Sequence, residues 1–309
     1  MVLLVEKLGK ALKFGSRLED HHLNSEALWA SLSGFKSKVS GFVNQVLFER
    51  DNPGRKFLSL TGFKECFEMI DVGNRAFAKL VVEIDYPMSR WGVRANEEYL
   101  NYTLILLDLL NSINSSVSHL SQAKISISHA LNLIRNSPTA KNLKKIPGKS
   151  SGKDFRFEGP VRMAEFRPVC EKELVVLQAL MVSKKIAFLA LGLVLSGCSG
   201  DAKPYMEVRK IGGGFDDDPL IKVLDSRFCH EVTEIQQGTM EEVEEVNSAT
   251  ERLSAAISAG RHSEAVEELK TKLETLENSI QGIQKQANKL FSEVLAARNK
   301  LLDNFRLTG

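Results

Sequence analysis

The sequence contains few of the residues that build disulfide frameworks or zinc sites. Only four of its 309 residues are cysteines, and none of them forms a Cys-x-x-Cys pair. Cysteines this scattered are typical of a reducing compartment and argue against a disulfide framework or a structural zinc site.

An excess of one charge is also missing. The 41 basic and 39 acidic residues give a formal net charge of +2, so no global field would draw the chain onto nucleic acid. We therefore expect no nucleic-acid partner.

Motifs that carry catalysis or bind ligands are absent as well. No HExxH or paired-carboxylate pattern occurs. The triple glycine at residues 212–214 lacks the Lys-Ser/Thr of a phosphate-binding loop, and the aspartates at 216–218 lack the alternating spacing of a calcium loop. The sequence predicts a protein that is not an enzyme and uses no cofactor or metal.

The N-terminal segment resembles neither a secretory signal nor a transit peptide. Its apolar run is broken by Glu6, Lys7 and Lys10, and it contains acids where a transit peptide would be rich in Ser and Arg. We expect residues 2–14 to form an amphipathic helix that packs on the body or touches a membrane surface. The expected location is cytoplasmic or peripheral on an intracellular membrane, and plastid targeting is not supported.

Hydrophobic periodicity dominates most of the remaining chain. Apolar residues at steps of three and four predict helices over residues 24–49, 59–85 and 95–136. Prolines, Ser-Gly and scattered lysines replace the periodicity over 137–170, which predicts a flexible basic linker. The glycine- and aspartate-containing stretch 200–238 predicts a second long irregular loop.

The C-terminal third carries the clearest helical pattern. Thr239 and Glu242 fit a capping box that would start a helical hairpin over 239–304. The second helix has an apolar seam whose steps alternate strictly between three and four: Val266, Leu269, Leu273, Leu276, Ile280, Ile283, Ala287, Leu290, Val294, Ala297 and Leu301. Such a seam allows a dimeric coiled coil. Phe291 and Leu295 widen it, which favours a helix packed inside a single-chain bundle.

These patterns predict an all-α fold. We expect an elongated bundle of long helices, with a coiled-coil-like C-terminal helix and two long irregular loops. Residues 1–136 would supply the N-terminal helices, 137–170 the linker, and 171–309 the C-terminal part of the same bundle. A homo-oligomer is the alternative to packing within one chain.

The longest apolar run is short for a membrane span. The stretch "MVSKKIAFLALGLVLSGCSG" at 181–200 looks like a bacterial lipoprotein signal, but 180 residues precede it, which excludes signal-peptidase processing. Residues 186–195 would cover about 15 Å as a helix, half of a bilayer core. Extending the helix to 172–198 places Lys184 and Lys185 near mid-membrane, which makes insertion marginal.

Two interpretations of this segment therefore remain: a central bundle helix, or a hairpin or span in a membrane. The residues concerned are Ile186, Phe188, Leu189, Leu191, Leu193, Val194 and Leu195.

One region resembles a known family. The pattern is Ile84-x-x-Pro87-x-Ser89-x-Trp91, followed by Tyr99-Leu100 and Leu106-Leu107-Asp108. It is similar to the signature of the plant BYPASS-type proteins, and the resemblance extends over the whole chain. It implies a helical, non-enzymatic regulator of root and shoot development that restrains a mobile signal made in roots. Relatives are also linked to secretory or membrane-associated partners.

The resemblance points to one set of candidate site residues and to two functions. The signature residues are Pro87, Ser89, Trp91, Tyr99, Leu100 and Asp108, which form either a packed corner between helices or a partner-binding corner. The first function is regulation through binding to other proteins. The alternative is a membrane-anchored scaffold for secretory or trafficking partners, with residues 174–198 as its anchor.

Overall fold

The fold is a bundle of α-helices. A computed structural model of the chain describes residues 25–50, 56–136, 143–147, 168, 170–211, 218–234, 239–260 and 262–308. These ranges contain eight α-helices, one 3₁₀ turn at Met88–Arg90 and no strand. The helices are α1 Ser25–Arg50, α2 Leu60–Glu83, α3 Val93–Asn136, α4 Glu171–Ser199, α5 Lys203–Ile211, α6 Pro219–Glu234, α7 Glu241–Ser258 and α8 Ser263–Thr308. The predicted all-α class is confirmed.

Helices α3 and α8 form the long axis of the molecule. With 44 and 46 residues, each measures about 65 Å at 1.5 Å per residue. They run antiparallel, since Lys124 pairs with Glu277 at 2.7 Å and Asn114 donates to Asn288 at 3.0 Å. Every residue of the predicted α8 seam is buried within this one chain, against α3, α7 and α2. The seam is therefore a core of the single-chain bundle.

Helix α4 lies at the centre of the bundle. It packs against α1, α2, α3, α5 and α6. Because it has neighbours on every side, it can be apolar all round, whereas a surface helix keeps one polar face.

The predicted loop over 200–238 is wrong for most of its length. It contains α5 and α6, and only 212–217 and 235–238 lie outside the described residues. Asp218 accepts the backbone N–H of Leu220 at 3.0 Å at the start of α6, and an apolar stripe follows at helical spacing. That stripe consists of Ile221, Leu224, Phe228 and Val232, all buried. The loop that the glycines and aspartates at 212–218 predict does not continue into the residues on either side, which form α5 and α6.

Several other predictions lie on residues that the structure does not describe. The amphipathic N-terminal helix falls wholly outside the described residues, as does most of the 137–170 linker. Residues 143–147 are described, and they lie as a non-helical segment against α7, where Ile146 is buried.

Candidate functional site

The signature residues build the corner between α2 and α3. Asp85 follows the end of α2 with a positive φ of 45°, a conformation that costs a non-glycine residue energy. Pro87, at φ −65°, then leads into the 3₁₀ turn. These turns reverse the chain, and two residues separate the end of the 3₁₀ turn from the start of α3.

Trp91 fills the inside of this corner. Its indole N–H donates to the carbonyl of Tyr86 at 3.0 Å, and its own carbonyl accepts from the Asn96 side chain at 3.0 Å. Its ring meets Phe77 and Tyr99 edge-to-face, with centroids 6.1 and 5.6 Å apart. Such pairs add about 0.5–1.5 kcal/mol beyond area burial. The corner is held by both packing and hydrogen bonds.

The same aromatic row reaches the apolar segment of α4. Tyr99 lies 6.4 Å from Tyr102, and Tyr102 lies 6.0 Å from Phe188, centroid to centroid. Burial raises the phenol pKa of both tyrosines above its usual range, so they stay neutral. The family signature and the apolar run are thus one packed unit.

A buried carboxylate ties α4 to the start of α3. Glu173, in the first turn of α4, is completely buried and accepts the backbone N–H of Ala95 at 3.2 Å. Negative charge is favoured at helix N-termini. A Cβ on Gly92 would lie 2.4 Å from a Glu173 carboxylate oxygen, so a side chain there would require the carboxylate to move. Sequence reasoning missed Glu173 because 78 residues separate it from Ala95.

The predicted signature residues divide into two groups. Pro87, Trp91 and Tyr99 are buried, whereas Ser89 and Asp108 are exposed. Leu100 is partly buried, and its carbonyl accepts from Arg298 of α8. The buried members form a packed corner, and Ser89 and Asp108 face solvent.

The apolar segment is enclosed by the bundle. Its seven predicted residues are each at most 2% exposed: Ile186, Phe188, Leu189, Leu191, Leu193, Val194 and Leu195. Lys184, just before them, lies 3.5 Å from the Glu98 carboxylate and above the Phe188 ring. By length and composition α4 could cross a membrane, but 67% of its most apolar stretch is buried inside the chain.

Each residue of the lipoprotein-like Ser-Gly-Cys has a packing role. Ser196 accepts the backbone N–H of Tyr205 at 3.0 Å at the start of α5. A Cβ on Gly197 would lie 2.4 Å from the Phe63 ring. Burial raises the pKa of the Cys198 thiol to about 12, with a further contribution from Glu242, so this thiol is unreactive.

A second buried network joins α5 to α6. The Tyr205 hydroxyl donates to Asp225 at 2.8 Å, and Arg209 donates to the other carboxylate oxygen at 2.9 Å. Burial, together with Asp225, raises the pKa of the Tyr205 phenol. Sequence reasoning missed this network because it had assigned both helices to a loop. The i, i+4 spacing of Tyr205 and Arg209 was the available signal.

Helix α7 begins where the sequence predicted, but with a different cap. Its N-cap is Met240, which makes no side-chain hydrogen bond. Glu242 instead accepts the backbone N–H of Leu60 at 2.9 Å. The Glu242 carboxylate serves the N-terminus of α2, and the N-cap lies one residue after the predicted Thr239.

Two open grooves mark the surface of the described part of the chain. One, of about 440 Å³, lies between α3 and α8, where Leu131 and Leu273 are flanked by Lys124, Lys270 and Glu274. The other, of about 360 Å³, lies between α1 and α2 around Gly34 and Ala76. Within the described ranges, no group of three or more His, Cys, Asp or Glu residues could hold a metal ion.

Comparison with known proteins gives two matches. A family model described as Protein BPS1 matches residues 139–303. The chain is also 22% identical over 307 residues to "Protein BPS1, chloroplastic" of Arabidopsis thaliana, covering 92% of this chain and 86% of that protein. No solved structure matches.

The name of this relative assigns that protein to the chloroplast. It stands against our expectation that the N-terminus does not support plastid targeting. Residues 1–24, on which that expectation rests, lie outside the described residues.

The family match covers more than half of the 309 residues. It includes the apolar segment of α4, the buried network that joins α5 to α6, and most of α8. The chain belongs to the BPS1 family, the plant BYPASS-type regulatory proteins that its signature residues resemble.

Proposed function

We propose that this protein regulates root and shoot development by binding other proteins, and that it thereby restrains a mobile signal made in roots. In this proposal the molecule acts through the outer faces of a folded helical body. It works without catalysis, and α4 is not a membrane anchor.

One observation carries the proposal. The apolar run of α4, which would have to face lipid in an anchor, is covered on all sides by five helices of the same chain. The aromatic row from Trp91 to Phe188 further joins it to the family signature. Exposing this run to lipid would require the bundle to come apart. Partners of the folded protein therefore bind its surface grooves and outer helix faces.

Membrane fractionation tests the role of α4. Alkaline carbonate should release the wild-type protein from any membrane it touches. Leu191→Lys should abolish soluble expression, because Leu191 is fully buried and an unpaired buried charge strongly destabilises a fold. Met181→Lys is the matched control on the same helix, since Met181 is 51% exposed; that variant should stay soluble.

The alternative function predicts the reverse. If α4 anchors a scaffold for secretory or trafficking partners, wild type stays in the carbonate pellet. Leu191→Lys then appears in the soluble fraction, still folded. That pair of results would replace the proposal with the anchored scaffold.

Grafting tests the link to a root signal. A root that lacks the protein should disturb the growth of a normal shoot grafted onto it, and a normal root should restore a shoot that lacks the protein. Normal shoot growth on roots without the protein would contradict restraint of a root-derived mobile signal. Affinity purification with mass spectrometry should recover protein partners from roots.

A further inference from the structure

A non-helical segment of the chain is bound to the surface of α7. Residues 143–147, Leu-Lys-Lys-Ile-Pro, have no helical structure, yet Ile146 is only 3% exposed. The backbone N–H of Ile146 donates to the Asn247 side-chain oxygen at 2.8 Å. The Asn247 side-chain nitrogen donates to the Ile146 carbonyl at 3.1 Å.

This pairing is a means of recognising peptides. One amide group that serves both the N–H and the C=O of a single residue holds an extended backbone whatever its sequence. Side-chain contacts then add selectivity. Ile146 joins the hydrophobic core, and the ammonium of Lys145 pairs with Glu251 one turn further along α7.

One carboxylate of α7 contacts the segment, since Glu251 pairs with Lys145. Glu242, Glu244 and Glu245 instead contact Leu60, Lys56 and Lys272. The bound segment carries two adjacent lysines, Lys144 and Lys145, both exposed. Opposite charges on the helix and the segment favour association with extended basic sequences.

The described contacts of the segment are few. They are the buried Ile146, the partly buried Leu143, two hydrogen bonds to Asn247 and an ion pair between two exposed side chains. Regions with few buried contacts open locally without global unfolding. The segment can therefore leave α7 while the helices stay folded.

We propose that the α7 face around Asn247 is a docking site for an extended basic segment of a partner protein, with a lysine followed by a branched apolar residue. In the free protein, residues 143–147 occupy this site as an intramolecular competitor. The inference rests on the proposed function, for which it supplies a partner class and a binding site.

A peptide titration tests the site directly. The probe is a capped synthetic peptide with the chain's own sequence 142–148, Asn-Leu-Lys-Lys-Ile-Pro-Gly. Its binding is followed through the backbone amide NMR signals of α7. The full-length Ile146→Asp variant should bind it about ten-fold more tightly than wild type, because a tethered segment competes at an effective concentration near millimolar.

Two further variants examine the geometry. Adding Asn247→Ala to Ile146→Asp should weaken peptide binding about ten-fold, since both backbone hydrogen bonds are lost. Ser248→Ala, the exposed neighbour on α7, is the matched control and should leave binding unchanged. A probe with Asp in place of Ile should not bind any of these proteins.

Three results would overturn the proposal. The first is no binding to a folded Ile146→Asp variant, and the second is binding that Asn247→Ala does not weaken. The third is a wild-type dimer that Asn247→Ala converts to monomer, which would make a second copy of this chain the occupant.

If Ile146→Asp fails to fold, amide hydrogen exchange in the wild-type protein tests the proposal instead. In wild type, excess peptide should accelerate exchange of the Ile146 amide, because it displaces the segment that protects it. An exchange rate independent of peptide would contradict the proposal. Failure of these binding assays leaves the grafting result unaffected, so the two proposals can fail separately.

Discussion

Single residues whose meaning is ambiguous in the sequence acquire definite roles from their neighbours in space. The Ser196-Gly197-Cys198 run looks like a processing signal, yet Ser196 accepts a hydrogen bond, Gly197 lies against the Phe63 ring and Cys198 is buried in the core. Gly197 is the most restricted of the three, because the Phe63 ring lies where a side chain would begin.

Gly197→Ala should therefore destabilise the protein. The added methyl would lie 2.4 Å from the Phe63 ring and 3.0 Å from Leu58, and overpacking a core costs about 1–3 kcal/mol. The matched control is Gly41→Ala in α1, where a Cβ meets nothing within 4 Å. That change should stabilise the protein by about 0.5–1 kcal/mol through helix propensity.

Urea denaturation of both glycine variants measures the difference. The prediction requires opposite signs for the two changes in the free energy of unfolding. A Gly197→Ala variant as stable as Gly41→Ala would mean that the Phe63 ring moves aside at no cost, and the packing role of Gly197 would be disproved.

At the scale of helices, the sequence was sufficient for most elements and insufficient for the contacts between them. Apolar stripes predicted α1, α2, α3 and α8, because each buries one continuous face. The nine-residue α5 offers too few turns for such a stripe to stand out, and α6 was hidden by the glycines and aspartates before it. The buried carboxylates could not be predicted either: Glu242 and Leu60 are 182 residues apart.

Glu242 allows a test of these contacts between helices through pH. Burial raises the pKa of its carboxyl, against the opposing effect of the Leu60 N–H. A carboxyl whose folded pKa is raised contributes stability that is present below its unfolded pKa and is lost as pH rises through the folded pKa. Between about pH 4 and 7, wild type should therefore lose stability relative to Glu242→Gln.

Denaturation of both proteins across this pH range checks the sign. Glu264→Gln, which removes an exposed carboxylate from the first turn of α8, controls for the loss of negative charge at a helix N-terminus. If wild type instead gains stability relative to Glu242→Gln as pH rises, the effect of hydrogen bonding on the Glu242 pKa outweighs that of burial.

At the scale of the whole molecule, the antiparallel α3–α8 pair determines how the chain closes into one body. Charged and amide pairs along its length fix the register. Helix α7 folds back on α8, while α4 fills the space beside α3. The strict heptad seam is thus satisfied within one chain, although the same seam in an isolated helix would be typical of a dimer.

Leu276→Asp separates these two uses of the seam. Leu276 is completely buried between helices of its own chain, and an unpaired buried carboxylate costs several kcal/mol. That cost is comparable with the total stability of a typical domain, about 5–15 kcal/mol. We expect Leu276→Asp to unfold the bundle, with loss of helical circular dichroism and of a cooperative melt.

Leu295→Asp is the matched control for this prediction. It makes the same substitution on the same helix, at a side chain that is 38% exposed. Its free energy of unfolding should lie within about 0.5 kcal/mol of that of wild type. Size-exclusion chromatography with light scattering gives the oligomeric state of all three proteins. A Leu276→Asp variant that is monomeric, with the helicity and melting of wild type, would show that the α8 seam is an interface between chains. The burial of all eleven seam residues inside a single chain predicts the opposite result.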